Sequence, residues 1–350
     1  MSSTAAPRAA GPLAGLKVLE LAGIGPGPLC AMLLADLGAQ VLRLDRVEPS
    51  GLGITRPPRF DLLQRGKQQL KADLKTPAGL ALALALADSA DALIEGFRPG
   101  TMERLGLGPE VCLARNPRLV YGRITGFGQS GPLAQAAGHD LNYIALSGAL
   151  HAIGRAGAAP TPPLNLLGDY AGGSLMLAFG IVSALLSARQ TGRGQVVDAA
   201  MTEGVAALMT PFYGLLAAGL QNGPRGTNTL DSGAPFYEVY RCADGEYVSV
   251  APIEAKFRRV LLDRLGDEAE GLADMTDPAQ WPQARRQLET LFATRTRAQW
   301  CALLEGSDAC FAPVLAPLEA PQHAQHAARG AFVEIDGITQ PAPVPRFSAT

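Results

Sequence analysis

The chain has 350 residues, is 47% apolar, and carries 30 basic against 32 acidic side chains, for a net charge of −2. That length exceeds the usual single domain and leaves ample chain to bury a core, so two domains are expected. The near-balanced charge, without a basic stripe interleaved with aromatics, excludes an electrostatic nucleic-acid binder.

Residues 1–10 are small and polar, lacking the basic end and apolar run of a secretory signal. The longest apolar runs, 175–188 and 205–220, fall short of a bilayer span and carry Ser, Thr or Tyr, so core helices are expected rather than a membrane segment. The five cysteines, Cys30, Cys112, Cys242, Cys301 and Cys310, are scattered, with no CxxC pair and no histidine at ligand spacing. A reduced, cytoplasmic protein without structural zinc follows as the simplest expectation.

In chain order, Lys17-Val18-Leu19-Glu20-Leu21 is a short β-rich run leading into Gly23-Ile24-Gly25-Pro26-Gly27-Pro28 and a helix to about Gly38. A second strand is expected over 40–44, ending in Asp45-Arg46. This βαβ opening resembles a dinucleotide-binding turn, but the third Gly of G-x-G-x-x-G falls on Pro28, and Pro26 and Pro28 have no N–H to offer a pyrophosphate. Next come a basic turn at Arg65-Gly66-Lys67, a strand ending Ala72-Asp73-Leu74-Lys75, and a helix from Thr76-Pro77 to about Ser89, with Pro in the first turn where helices favour it. Strands at 92–95 and near 119–124 follow, around Phe97-Arg98-Pro99-Gly100 and Thr101-Met102-Glu103-Arg104. Strands alternating with helices predict a doubly wound, mostly parallel α/β sheet. On such a sheet Arg46, Lys75, Arg98 and Arg104 either converge on the ligand-binding edge or are solvated surface charges.

The chemistry-bearing stretch is 138–174, which opens Gly138-His139-Asp140-Leu141-Asn142-Tyr143 and closes Gly168-Asp169-Tyr170-Ala171-Gly172-Gly173-Ser174. Its His139 is one of only four histidines in the chain, and Asp169 precedes an apolar helix expected from Ser174. By residue type alone, Asp169 reads as a helix N-cap and His139 as a satisfied core histidine. A second apolar helix is expected over 196–220, then a linker over 222–233 rich in Gly, Pro and Asn. Short strands at 236–241 and 247–251 flank Asp244-Gly245, a tight hairpin, and amphipathic helices run to about Glu305. The tail from Pro317 is Pro-rich and weakly periodic, and His323 and His326 read as surface residues rather than ligands. The expected layout is a large domain over 1–190, a helical connection and linker over 191–233, a small α+β domain over 234–315, and a segment over 316–350 returning to the large domain.

The words GPLAGLKVLELAGIGPGP, ADLGAQVLRLDR, ADLK, IEGFRPG, ERLGLGP, GFGQSGP, GHDLNYIALSGAL, LNLLGDYAGGS, GRGQVVDA, DSGAPFYEVY and SDACFAPVL run in order along nearly the whole chain. Through them the chain resembles the α-methylacyl-CoA racemases within the family III CoA-transferase superfamily. The resemblance implies a Rossmann-like large domain, a small α+β domain, and a homodimer whose subunits interlock, each active site lying between the large domain of one and the small domain of the other. It implies His139 and Asp169 as catalytic pair and Glu254 as support for the histidine. Asp140 is either a second support or a local turn acceptor. It implies CoA contacts at Ile24, Arg46, Ala72, Asp73, Leu74, Lys75, Arg104, Gly138, Leu141, Asn142 and Tyr143. The word around Glu254, Pro252-Ile253-Glu254-Ala255-Lys256-Phe257, departs from its relatives, which also continue beyond the PRFS word.

Inverting the carbon beside a thioester needs one group to take a proton from one face and another to return it to the opposite face, through an enolate. An imidazole and a partly buried carboxyl suit that task, with backbone N–H groups around Asp169 as donors to the enolate oxygen. No metal or redox cofactor is called for, since CoA is part of the substrate. The rival on the same fold is a CoA-transferase using the Asp169 carboxylate as nucleophile, for which the histidine has no use. A non-catalytic CoA- or dinucleotide-binding protein would keep the arginines and have no use for a His/Asp/Glu trio.

Overall fold

The computed structural model describes residues 11–221 and 223–350. The N-terminal segment read above for a secretory signal, and the first residue of the expected linker, lie outside them. The chain divides into two compact units, one of residues 11–149, 163–210 and 342–350, the other of residues 150–162 and 211–341. This differs from the expected layout: the first unit runs to residue 210, residues 150–162 belong to the second, and only 342–350 of the tail goes with the first.

In the first unit the elements are β1 (Lys17–Leu21), α1 (Pro26–Asp36), β2 (Gln40–Asp45), β3 (Lys67–Lys71), α2 (Pro77–Ser89), β4 (Ala92–Glu95), α3 (Thr101–Arg104), α4 (Pro109–Arg115), β5 (Val120–Thr125), α5 (Asp140–Leu146) and the short α6 (Ala149–Ala152) at its boundary. A π-helical segment, Leu166–Leu175, then runs straight into α7 (Met176–Thr191), followed by β6 (Gln195–Ala200) and α8 (Met201–Leu208). The six strands pair in the order β3-β2-β1-β4-β5-β6, every pair parallel. This is the doubly wound order, whose connections reverse direction between β1 and β4.

Alternation along the strands supplies two cores. Val18, Val41, Ile94, Val120 and Ile124 pack under α1 and α7 with Cys30, Leu34, Leu177 and Ile181. Leu19, Leu21, Leu44, Leu93 and Tyr121 pack on the opposite face under α2 and α4 with Ala83, Ala87 and Cys112. Thr76 caps α2 by accepting the Gly79 N–H at 3.1 Å, as its place before Pro77 predicts.

Three expectations are corrected. Residues 196–200, read as the start of a helix, belong to the sixth strand, Gln195–Ala200: Val196 and Val197 favour extended backbone, and Gly194 sits against the Leu119 carbonyl so closely that a Cβ there would lie 1.9 Å from its oxygen. Residues 72–75 are the loop beyond β3, not its end. The helix expected from Ser174 begins at Leu166, so the continuous helical stretch 166–191 is long and apolar enough to cross a bilayer, although its inner face packs on β5 and β6.

The second unit holds α9 (Thr210–Ala217), a sheet of β7 (Glu238–Arg241), β8 (Tyr247–Val250) and β9 (Phe311–Pro313), and the helices α10 (Ala255–Leu265), α11 (Trp281–Phe292) and α12 (Arg297–Leu304). Its strands are antiparallel, with Gly245 at φ 85° in the turn between β7 and β8. Tyr240 stacks on Phe292 with centroids 4.9 Å apart, inside a core with Leu261, Leu288, Trp300 and Leu304. The tail is more ordered than its composition suggests: α13 (Ala324–Arg329) precedes a hairpin of β10 (Phe332–Ile335) and β11 (Ile338–Pro341). Asp336 and Gly337 both have positive φ in its turn, a two-residue signal that the weak periodicity conceals. The fold also brings Glu305 within 2.7 Å of His323, a carboxylate partner that the sequence neighbourhood of that histidine does not contain.

Candidate functional site

All-parallel pairing places the segments that follow β1, β2, β3 and β4 on one edge of the sheet, where open α/β sheets bind ligands. Those segments carry half-exposed Ile24, exposed Arg46, the loop Ala72-Asp73-Leu74-Lys75, and Phe97 to Arg104. Ala72 is buried, with its N–H on the Asp45 carbonyl at 2.9 Å, and Asp73 Oδ1 accepts the Lys75 N–H at 3.0 Å, so the loop holds its own shape. The Arg46 guanidinium stands 6.0 Å from the Phe97 ring centroid. Arg104 is exposed on α3 and donates to Thr101 Oγ1 at 3.0 Å.

Beneath this edge lies a network that sequence reading misses. Buried Glu95 at the end of β4 takes Arg123 Nε at 2.7 Å and the Phe97 N–H at 2.7 Å, while Arg123 reaches Glu103 on α3 at 2.7 and 3.3 Å. One guanidinium thereby holds the Phe97–Gly100 turn and α3 to the sheet. Lys67 and Glu20 form a second buried pair at 2.6 Å, and the Lys67 ammonium also donates to the Pro28 carbonyl at 2.9 Å, fixing the first turn of α1.

Residues 138–143 form the N-terminal turn of α5. His139 is its exposed N-cap residue, and its backbone N–H donates to Asn142 Oδ1 at 3.0 Å. The Asn142 and Tyr143 N–H groups return to the His139 carbonyl, at 2.8 and 3.3 Å, so those of Asp140 and Leu141 precede the first bonded turn. Tyr143 is buried, donates its hydroxyl to the Gly138 carbonyl, and meets Phe127 edge-on at 5.1 Å. Gly126 makes room for it, since a Cβ there would lie 2.1 Å from the ring.

Asp169 lies in the first turn of the π-helical segment, a rare form that is frequent at functional sites. Its backbone N–H donates to Asp140 Oδ1 at 2.7 Å, and its carboxylate Oδ2 accepts from Asn165 Nδ2 at 3.2 Å. Ser174 ties the turn to α1, donating to the Pro26 and Asp169 carbonyls at 2.8 and 3.0 Å. Gly25, at φ 66° before α1, brings bare backbone close to this carboxylate: a Cβ there would stand 3.2 Å from Oδ2. Burial pushes the Asp169 carboxyl above its ordinary range, with the like charge of Asp140 adding to it, while Asn165 and the His139 imidazole pull the other way. His139 and Asp169 thus lie within electrostatic reach of each other on one unit. Of the backbone N–H groups around Asp169, that of Asp169 itself is taken by Asp140 Oδ1.

Glu254 lies in the second unit as the exposed N-cap residue of α10. Among the described residues, no three or more His, Cys, Asp or Glu side chains are grouped to hold a metal ion.

The chain is a doubly wound α/β protein, and His139 and the raised carboxyl of Asp169 lie in segments near the edge where such sheets bind ligands. The model of CoA-transferase family III matches residues 13–350, and the chain belongs to that family. It is 46% identical over 340 residues to alpha-methylacyl-CoA racemase of Mus musculus, covering 97% of this chain and 87% of that protein. The Homo sapiens protein of the same name is also 46% identical, over 337 residues, 95% of this chain and 86% of the relative. A CAIB/BAIF family protein from Brucella suis superposes with a TM-score of 0.83 at 28% identity, over 97% of this chain and 94% of that one.

Proposed function

We propose that this protein is a racemase for 2-methylacyl-CoA thioesters, inverting the carbon beside the thioester by proton transfer between two bases through an enolate. Its kinship with the mammalian racemases supports the activity. The observation that carries the chemistry is that Asp140, the neighbour of His139, holds the backbone of Asp169 at 2.7 Å, and that burial raises the Asp169 carboxyl. A carboxyl raised in this way can hold a proton for return as well as accept one. From one epimer His139 removes the proton and Asp169 delivers it to the opposite face; from the other the roles exchange.

The enolate oxygen needs donors, and the first-turn N–H groups of Asp140 and Leu141, next to His139, join those around Asp169 as the groups that supply them. The phosphates of CoA meet Arg46, Lys75 and Arg104 through charge-assisted hydrogen bonds, and Ile24, Ala72–Leu74 and Gly138–Tyr143 shape the rest of the thioester's bed. CoA is a handle on the substrate, and the proton transfer itself calls for no metal or redox cofactor.

We place the enzyme in an interlocked homodimer in which Glu254 of the partner subunit steadies His139. The outer face of α7 supports a homodimer: Leu175, Phe179, Val182 and Leu186 line one helical stripe, with Phe179 74% exposed. The same need for cover by another subunit is the reading we give the apolar stretch 166–191, in place of a membrane. Five free cysteines fit a reducing, cytoplasmic setting.

The test incubates a single-epimer 2-methylacyl-CoA with enzyme in heavy water and no acceptor acid. Racemisation with deuterium entering the 2-position is expected. Acyl exchange that appears only on adding a second acid would overturn the reading in favour of a CoA-transferase acting through an Asp169 acyl intermediate, the activity for which the family is named.

A further inference from the structure

Asp140 is the most unusual polar group near the candidate bases. It is 5% exposed, its Oδ1 accepts the Asp169 N–H at 2.7 Å, and its Oδ2 is buried with no hydrogen-bond partner among the described residues. A buried carboxylate oxygen left unpartnered is costly, so a role is expected for it. The chain makes room for this arrangement: a Cβ on Gly168 would stand 2.6 Å from Asp140 Oδ1, so the residue before Asp169 has to be glycine for the contact to exist.

We propose that Asp140 is a positioning residue for Asp169: its Oδ1 fixes the backbone from which the Asp169 side chain projects, and its bare Oδ2 keeps a like charge beside the Asp169 carboxyl. The inference rests on the racemase reading and assigns a device to the same site. Other groups beside Asp169 among the described residues lie on the elements packed around it. Asn165 lies one turn back on its own segment, and His139 and Tyr143 lie on the α5 side. Gly25 presents uncharged backbone from α1, and α8 packs against the segment through Gly204 and Val205, also uncharged. Asp140 is therefore the anion that opposes ionisation of Asp169, while the histidine favours it.

The two bases share one exchangeable proton in the active enzyme, so kcat/KM is bell-shaped in pH. Its two limbs belong to the pair. The profile has the same shape from either epimer, because the equilibrium between epimers does not depend on pH.

The experiment compares Asp140→Asn, which keeps an oxygen for the Asp169 N–H and loses the charge, with Asp140→Ala, which loses both. Rates are read as deuterium incorporation from each epimer. Asp140→Asn should displace the bell toward acid by about one pH unit, since removing a nearby anion makes a carboxyl easier to ionise. Asp140→Ala should show the same displacement and lower kcat by a further tenfold or so, with KM changing little, because the base is no longer aimed. A bell in its native position in Asp140→Asn overturns the charge role. Equal kcat in the two variants overturns the positioning role. Should Asp140→Ala not fold, Asp140→Gly, which also removes both the charge and the accepting oxygen, carries the second comparison. Failure of the racemase reading is separate, since the native enzyme would then exchange no deuterium at all.

Discussion

Gly204 on α8 lies against the main chain of Gly172 in the π-helical segment: a Cβ built on Gly204 would stand 1.8 Å from the Gly172 carbonyl oxygen. In return, a Cβ on Gly172 would meet Val205 Cγ2 at 2.6 Å. Backbone meets backbone with no side chain between, and this contact seats the turn that bears Asp169.

Replacing Gly204 with Ala should therefore cost about 3 kcal/mol, because neither main chain can give way as a flexible side chain would. Urea denaturation checks it, with Gly214→Ala as control. A Cβ at Gly214 meets nothing within 4 Å, and in the helix α9 that change should stabilise by roughly 0.5–1 kcal/mol.

His139→Ala and Asp169→Asn should each slow deuterium incorporation by about 10²–10⁴-fold, the worth of a positioned acid or base. Acyl-CoA affinity, measured by titration calorimetry, should stay near native for both. Loss of binding in step with loss of rate would point to a structural role for the pair.

Arg123→Met would strand the Glu95 carboxylate in the sheet without its partner and should cost about 3–5 kcal/mol. Burial already raises the Glu95 carboxyl above its usual range, with the like charge of Glu103 adding to it, against the pull of the Phe97 N–H and Arg123. Adding Glu95→Gln to Arg123→Met should therefore recover much of the loss in thermal midpoint, a non-additivity that a double-mutant cycle measures.

In the second unit, Glu238 gives a pH signature. Burial raises its carboxyl, but Arg155, the Val239 N–H at 2.6 Å and Arg285 outweigh it and hold the group below the ordinary range. A carboxyl lowered on folding contributes stability above its unfolded pKa and loses it as pH falls through the folded one. Stability should thus decline as acid is added from about pH 4.5 downward, and Glu238→Gln should be less stable at neutral pH with a flatter decline. Chemical denaturation at a series of pH values reads both.

Phe179→Asp places a charge in the middle of the exposed apolar stripe of α7. Sedimentation velocity should show native dimers and a monomeric variant, with racemase activity lost alongside. A variant that sediments like the native protein would remove the α7 face from the interface.

Much of the sheet is legible because its strands are short apolar runs closed by Gly or charged residues, as at Lys17–Leu21 and Ala92–Glu95. The strand at Gln195–Ala200 escaped because an exposed edge strand running into a helix shares that helix's apolar pattern. The GHD and GDY words pointed to His139 and Asp169, but their link could not be read. A side chain accepting an amide 29 residues away leaves no local pattern, and neither does the Arg123 bridge between Glu95 and Glu103. The π-helical form of Leu166–Leu175 was equally hidden, since it depends on what Gly172 and Gly173 pack against.

The two prolines that open α1 have a further consequence. A doubly wound sheet ordinarily reserves that turn for a pyrophosphate, and here Pro26 and Pro28 withdraw two of the amides such a guest would need, while Lys67 spends its charge on Glu20 below. The vacated position is filled by a neighbour from the same chain: the bend at Gly25 lies next to the carboxylate of Asp169. The turn that would cradle a pyrophosphate thus borders a carboxylate instead, and on the proposed reading the nucleotide end of the thioester lodges elsewhere along the edge.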